Sequence, residues 1–423
     1  MLEKISRVFK IKELRDKIFF ILAILVVFRL AANIPLPGVD ASQLKSFFDN
    51  NQLFGMMNMF SGGGLSKISI VLLGVGPYIT SSIIFQLLAM IFPTIERLQK
   101  EEGEAGQQKI NMWTRWATVP LAIIQTFGMV TLLKNQNVFT DLTAFNMIMI
   151  LVVATAGTIF LMWLGELITE KDIGNGVSLI IFAGIVASLP NSISQMISTF
   201  DATDLFNYIL FALVGIFPIA AVVVINEGER NIPVSYAKKV SGNKTLSGSS
   251  THLPLRVNQA GVIPIIFAIS IMIFPGVVAN FFVNASNPNV AHFARFVSEL
   301  FQNQWFYAGL YFLMVVLFTY FYTAVVFDPN KIAENLQKQG GYIPGIRPGN
   351  ATAEYLSKII NRITLSGAIF LGAIAVLPLA VQGITGVGVM TIGGTSILIV
   401  VAVVIEMIKQ IEGQLVMRDY EGF

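Results

Sequence analysis

The sequence predicts an all-α polytopic membrane protein with ten transmembrane helices, and three observations carry that reading. Of 423 residues, 54% are hydrophobic and only 13% charged, too little charge to cover the surface of a soluble domain of this size. The apolar residues gather into ten runs, each near the roughly 20 residues that a helix needs to cross a hydrocarbon core about 30 Å thick. The basic residues between the runs fall almost wholly on one side.

In chain order the predicted spans are 17–33, 74–92, 113–133, 144–166, 177–198, 205–225, 257–282, 305–327, 362–381 and 394–411. Ahead of the first, Leu2, Ile5, Val8 and Phe9 recur at helical spacing among lysines and arginines, the pattern of a short helix lying on a membrane surface. Residues 1–38 also carry a basic start, an apolar core and small residues at Ala31-Ala32, as a secretory signal does. Arg29 inside the run and the many spans that follow favour a retained helix. With the N-terminus inside, all of the 28 lysines and arginines except Arg29, Lys45, Lys67, Lys134 and Arg295 fall at cytoplasmic segments or their edges. This positive-inside bias sets both termini in the cytoplasm.

Two cytoplasmic segments, 226–256 and 328–361, are long and rich in Gly, Pro and basic residues, and connections of such length commonly carry function. Arg230, Lys238, Lys239, Lys244 and Arg256 in the first read equally well as anchors to anionic lipid or as contacts to an acidic or nucleic-acid-rich partner. On the opposite side, residues 38–73 contain Ser61-Gly62-Gly63-Gly64-Leu65. A phosphate-binding loop would need Gly-Lys-Ser/Thr after a strand; here Leu65-Ser66-Lys67 follows. A small, flexible segment able to pack into a cavity and leave it fits better.

The sequence argues against several chemistries. There is no cysteine, and the two histidines, His252 and His292, stand far apart in connecting segments, which excludes thiol chemistry and disfavours a histidine metal cage. Ion-coupled transport usually needs ionisable groups near the bilayer centre. Arg29, Glu166, Glu406 and Lys409 all lie near span ends, where long side chains can reach the interface. A secondary transporter of a small solute, the main alternative class, would require such groups or a compact polar site between broken helices. The spans carry instead neutral polar residues, among them Thr80 and Gln86, Gln125 and Thr126, and Asn258 and Gln259. They read as packing glue or as a breakable seam whose bonds average about 0.6 kcal/mol each.

These residues also sit within dispersed motifs. Phe60-Ser61-Gly62-Gly63-Gly64-Leu65, Pro77-Tyr78-Ile79 leading to Gln86-Leu87-Leu88, and Gly165-Glu166-Leu167-Ile168-Thr169-Glu170 running into Gly174-Asn175-Gly176-Val177-Ser178 come first. Ser250-Thr251-His252-Leu253-Pro254-Leu255-Arg256-Val257-Asn258, Gly261-Val262-Ile263-Pro264, Tyr342-Ile343-Pro344-Gly345-Ile346-Arg347-Pro348-Gly349 and Gly393-Gly394-Thr395-Ser396 follow. With these motifs, in this order, the chain resembles the SecY family, the channel-forming subunits of the general protein-secretion translocon, across essentially its whole length.

The resemblance implies two inverted five-helix halves, residues 1–200 and 201–423, hinged near Thr199–Asp204 around an hourglass pore. It implies a pore ring of Val75, Ile79, Ile181, Ile185, Ile266 and Ile399, where aliphatic side chains dewet a constriction without a charged gate. It implies a plug at about 55–70 that includes Ser61, Gly62, Gly63, Gly64 and Leu65, and a lateral gate at Thr80, Gln125 and Asn258. The two long segments would dock a translating ribosome or the SecA motor ATPase, through the basic residues already named and Arg347. SecE and SecG would be further partners, signal-bearing precursors the cargo, and the plasma membrane the site. No cofactor and no catalysis are implied, and an accessory translocon for particular exported proteins is a further reading. The sequence departs from the family at Ser241-Gly242-Asn243-Lys244, where paired basic residues are common, and at Ser249, where glutamine is frequent.

Overall fold

The computed structural model describes residues 10–36, 64–65, 68–100, 102–135, 143–198, 205–236, 240–241, 244–245, 250–283, 287–385 and 394–421. A helix lies over each of the ten apolar runs: α1 Lys12–Ala31, α2 Gly76–Ile91, α4 Gly103–Asn135, α5 Ala144–Thr169, α6 Gly176–Ser198, α7 Leu205–Glu227, α8 Ile263–Phe282, α10 Gln304–Val326, α12 Asn350–Thr385 and α13 Gly394–Glu421. Between them lie α3 Pro93–Lys100, α9 Pro288–Gln302 and α11 Pro329–Lys338. Among the described residues, the helices that begin at Ala144, Gln304 and Asn350 are each long and apolar enough to cross a membrane. The chain is a multi-pass membrane protein.

Prolines punctuate the helices. Pro120, Pro190, Pro218 and Pro275 lie inside α4, α6, α7 and α8, where neighbouring helices can satisfy the backbone groups that a proline frees. Pro93 ends α2 instead. Phe92, just before it, is extended at φ −104°, ψ 112°, as the proline ring demands of its predecessor. The chain then turns by 111° into α3.

The expectation of an all-α chain is corrected on one side of the bundle. β1 Glu229–Tyr236 pairs antiparallel with β4 Ser250–Arg256, from Glu229 opposite Arg256 to Ser235 opposite Ser250. β5 Gly341–Tyr342 joins the other edge of β1 at Ser235 and Tyr236, in the order β4-β1-β5. A two-residue pair, β2 Val240–Ser241 with β3 Lys244–Thr245, lies within the hairpin. Buried Ile232 and Val234 alternate with exposed neighbours along β1, the period of a half-buried strand. Pro233 faces His252 of β4 but lies beyond the reach of β5, a position compatible with its missing N–H.

The two long connecting segments therefore form one body. Ile232, Val234 and Leu255 of the hairpin share a core with Leu336 of α11, Ile343 after β5, and Leu356, Ile359, Ile360 and Ile363 at the start of α12. α12 begins twelve residues earlier than its apolar run because its first turns cover this core. Three helices were not anticipated as separate elements: α3 after the bend at Pro93, α9 on the far side of the bundle and α11 beside the sheet.

Candidate functional site

All six residues of the predicted ring are buried, none more than 5% exposed, and all belong to one continuous apolar core. Val75 is the N-cap of α2, and its carbonyl accepts from the backbone N–H of Ile79 at 3.1 Å. Ile181 and Ile185 lie one turn apart on α6, Ile266 near the start of α8 and Ile399 on α13. The core thus joins side chains from both expected halves of the chain. Its further members include Phe28, Phe267, Met272 and Leu371, and Tyr307 and Tyr311 bring two hydroxyls into the same core.

The expected gate residues divide. α8 packs against both α2 and α4. Across the α2–α4 contact, Gln125 donates through Nε2 to Thr80 Oγ1 at 3.5 Å, and Thr80 donates to the Gly76 carbonyl at 3.1 Å. Asn258 does not join them. Its Nδ2 donates to Asn226 Oδ1 at 2.8 Å and to the Gly261 carbonyl at 3.2 Å. It ties the lead-in of α8 to the end of α7, and its own Oδ1 is buried without a hydrogen bond. Asn226 was not among the sequence candidates, and only a register of the α7 end against the α8 start reveals it.

A cavity of about 520 Å³ opens beside this seam, on the side of the sheet, between α2, α3, α4, α10 and α11. Tyr78, Ser82, Gln86, Asn111 and Asp328 give it a polar lining. Gln86 donates to Ser82 Oγ at 3.1 Å while its Oε1 stays buried and unpaired.

Glu166 and Lys409, two of the four charges at the span ends, are paired rather than merely extended into water. Arg115 Nε lies 2.6 Å from Glu166 Oε1, joining α4 to α5. Lys409 Nζ lies 3.0 Å from Glu227 Oε1 and 3.3 Å from the Asn226 carbonyl, joining α13 to α7. Among the described residues, no group of three His, Asp or Glu side chains could hold a metal ion.

Of the predicted plug, Ser61, Gly62 and Gly63 lie outside the described residues, as do residues 1–9, most of the expected surface helix, and the hinge at Thr199–Asp204. Leu65 is 1% exposed and packs in a second core with Leu72, Met129, Leu133 and Ile150, apart from the ring. Gly64 accepts a bond from the N–H of Ser69 at 2.8 Å. Lys238 and Lys239 are likewise outside the described residues, and Lys244 stands in β3. Arg230 and Arg347 are exposed, and Arg256 lies 3.6 Å from Glu229, its cross-strand neighbour. Arg347 rides on a fixed turn: Gly345 and Gly349 adopt φ of 84° and 95°, and Thr352 Oγ1 donates to the Arg347 carbonyl at 2.9 Å.

These features define a multi-pass helical membrane protein with an uncharged, aliphatic centre and a basic platform built on one end. The SecY family model matches residues 69–408. The chain is 43% identical to the protein translocase subunit SecY of Streptomyces coelicolor, over all of both chains. Its fold is similar to that of a solved protein-conducting channel, with a TM-score of 0.65, 17% identity and coverage of 95% of this chain and 92% of the other. It is also similar to Sec61 in the canine ribosome–channel complex from the endoplasmic reticulum, with a TM-score of 0.62, 16% identity and coverage of 95% and 92%. The chain belongs to the SecY family.

Proposed function

We propose that the chain is the channel-forming subunit of a Sec translocase, passing unfolded proteins through the membrane and releasing apolar segments sideways into lipid. The full-length match to a translocase subunit carries the proposal. The burial of all six aliphatic ring positions in one core drawn from α2, α6, α8 and α13 supports it. Aliphatic side chains at a narrow point exclude water and ions without binding them. They also yield around an extended peptide of any sequence, because they offer it no fixed hydrogen bond. The chain is a conduit and not an enzyme.

In this reading ten helices cross the cell membrane in two inverted halves, with both termini and the sheet platform in the cytoplasm. The lateral gate opens where α8 meets α2 and α4, at Thr80 and Gln125, with Asn258 as the tie that holds α8 to α7. The segment around Ser61–Leu65 is the plug. Arg230, Lys238, Lys239, Lys244, Arg256 and Arg347 face the docking partner, a translating ribosome or the SecA motor. SecE clamps the halves and SecG attaches at the rim. The energy for movement comes from these partners.

The test is translocation into proteoliposomes that contain this chain with SecE, driven by SecA and ATP. A signal-bearing precursor is expected to become protected from added protease. Failure of protection, with the motor shown to hydrolyse ATP and to bind the vesicles, would overturn the proposal.

A further inference from the structure

α9 connects two long apolar helices at the end of the bundle away from the sheet. α8 leaves the sheet side just after β4 and ends at Phe282; α10 starts at Gln304 and returns toward α11 and β5. Only Asn303 separates α9 from α10. Asn303 turns the chain: its N–H donates to the Glu299 and Leu300 carbonyls, while its Oδ1 accepts from Trp305 and Phe306. Since α10 is a membrane-crossing helix by length and composition, α9 is held at the level where that helix meets the membrane surface.

At 3.6 residues per turn, the side chains of α9 sort into three strips. Ala291, Ala294, Ser298 and Phe301 face inward. Ala294 and Ser298 are buried, the helix packs on α8 and α10, and the Phe301 ring meets that of Phe306 at 6.2 Å, nearly perpendicular. His292, Arg295 and Glu299 form a polar, exposed strip. The third strip, Val290, Phe293, Phe296, Val297 and Leu300, is apolar, and it includes Phe293 at 67% and Phe296 at 54% exposure. A helix with one inward strip needs only two kinds of surface; the third needs a second apolar medium. Trp305 and Phe306, at the start of α10, are also exposed, so the apolar strip runs on into an aromatic group of the kind found where spans enter the headgroups.

We propose that α9 is a built-in membrane anchor: Phe293 and Phe296 insert into the headgroup–acyl boundary of the leaflet opposite the sheet, with His292, Arg295 and Glu299 facing water. The occupant of the strip is the bilayer itself. This rests on the membrane-spanning character of α10 and not on the identity of the transported cargo, so failed translocation would leave it standing. The anchor would fix the outer end of α8, the helix that meets α2 and α4, while its sheet-side end moves.

The chain has no cysteine, so single cysteines at Phe293, Arg295, Phe296 or Glu299 can each carry a nitroxide or an environment-sensitive dye in proteoliposomes of neutral lipid. Labels at 293 and 296 are expected to be quenched at least twofold more by a lipid-borne quencher than labels at 295 and 299. The order should reverse for a water-soluble quencher added to the face on which α9 lies. Equal access of the aqueous quencher to all four positions would overturn the proposal. Shielding of 293 and 296 from both quenchers would also overturn it, because it would mean a protein partner covers the strip. The substitutions are at exposed positions, and the retained thermal transition of each labelled variant checks its fold.

Discussion

Ile266 and Ile265 are neighbours in the sequence of α8, both buried, at 5% and 0% exposure, in the same apolar core. Burial alone cannot tell them apart, and only the motif assigns Ile266 to the ring. An asparagine at either position forces a buried amide that costs about 1–3 kcal/mol when unsatisfied. At a constriction, however, the amide does something further, since it holds water where aliphatic side chains exclude it. Ile266→Asn and Ile79→Asn are therefore expected to raise the resting ion conductance of reconstituted channels in planar bilayers. Ile265→Asn is expected to lower thermal stability with no rise in conductance. Equal leak from all three would return the ring positions to ordinary packing. The same limit explains why Asn226 escaped the sequence reading. A single amide at the end of an apolar run looks like any helix terminus until the partner Asn258 is brought to 2.8 Å.

Hydropathy marks the stretch of a helix that meets lipid, not the stretch that is helical. For that reason the ten runs were legible while their ends were not: α4 begins at Gly103, ten residues before its apolar run, and α13 continues to Glu421, ten residues past its own. The sheet was missed because glycine, proline and charge in 226–256 hid a short alternation at Ile232 and Val234, which gains meaning only against the core of α11 and α12. α9 was missed because its apolar residues recur at helical spacing between polar ones and never form the unbroken run that marks a span. Close approach between elements was equally hidden. A Cβ added to Gly157 of α5 would collide with the Ile70 carbonyl in the lead-in to α2, whereas one added to Gly76 would meet nothing within 4 Å. Backbone cannot yield as a flexible side chain can, so Gly157→Ala is expected to cost about 1–3 kcal/mol, as overpacked sites do. Gly76→Ala, inside α2, is expected to be neutral or slightly stabilising. Thermal unfolding of the detergent-solubilised chain, followed by static light scattering, checks both.

Across the whole molecule, the platform and the ring are joined by short stretches of chain. Val257 follows β4 directly, its N–H donates to the Gly228 carbonyl at 2.9 Å, and its own carbonyl lies close against Gly367 of α12. Nine residues later stands Ile266. Only residues 258–262 separate Val257 from α8, so the sheet is tied closely to both α8 and α12. Two substitutions separate the proposed docking surface from this connection to the helices. Arg347 is exposed on a turn held by Gly345, Gly349 and Thr352, so Arg347→Glu should leave the thermal transition unchanged while it slows SecA-driven export. Val234 is 1% exposed at the centre of the platform core, and a carboxylate there must be desolvated or protonated. Val234→Asp should lower the transition temperature and abolish export together. If Arg347→Glu exported at the unaltered rate, the turn would be structural only. If Val234→Asp exported normally despite a weakened platform, force would have to enter the channel by some other route, and the coupling through Val257 would carry none of it.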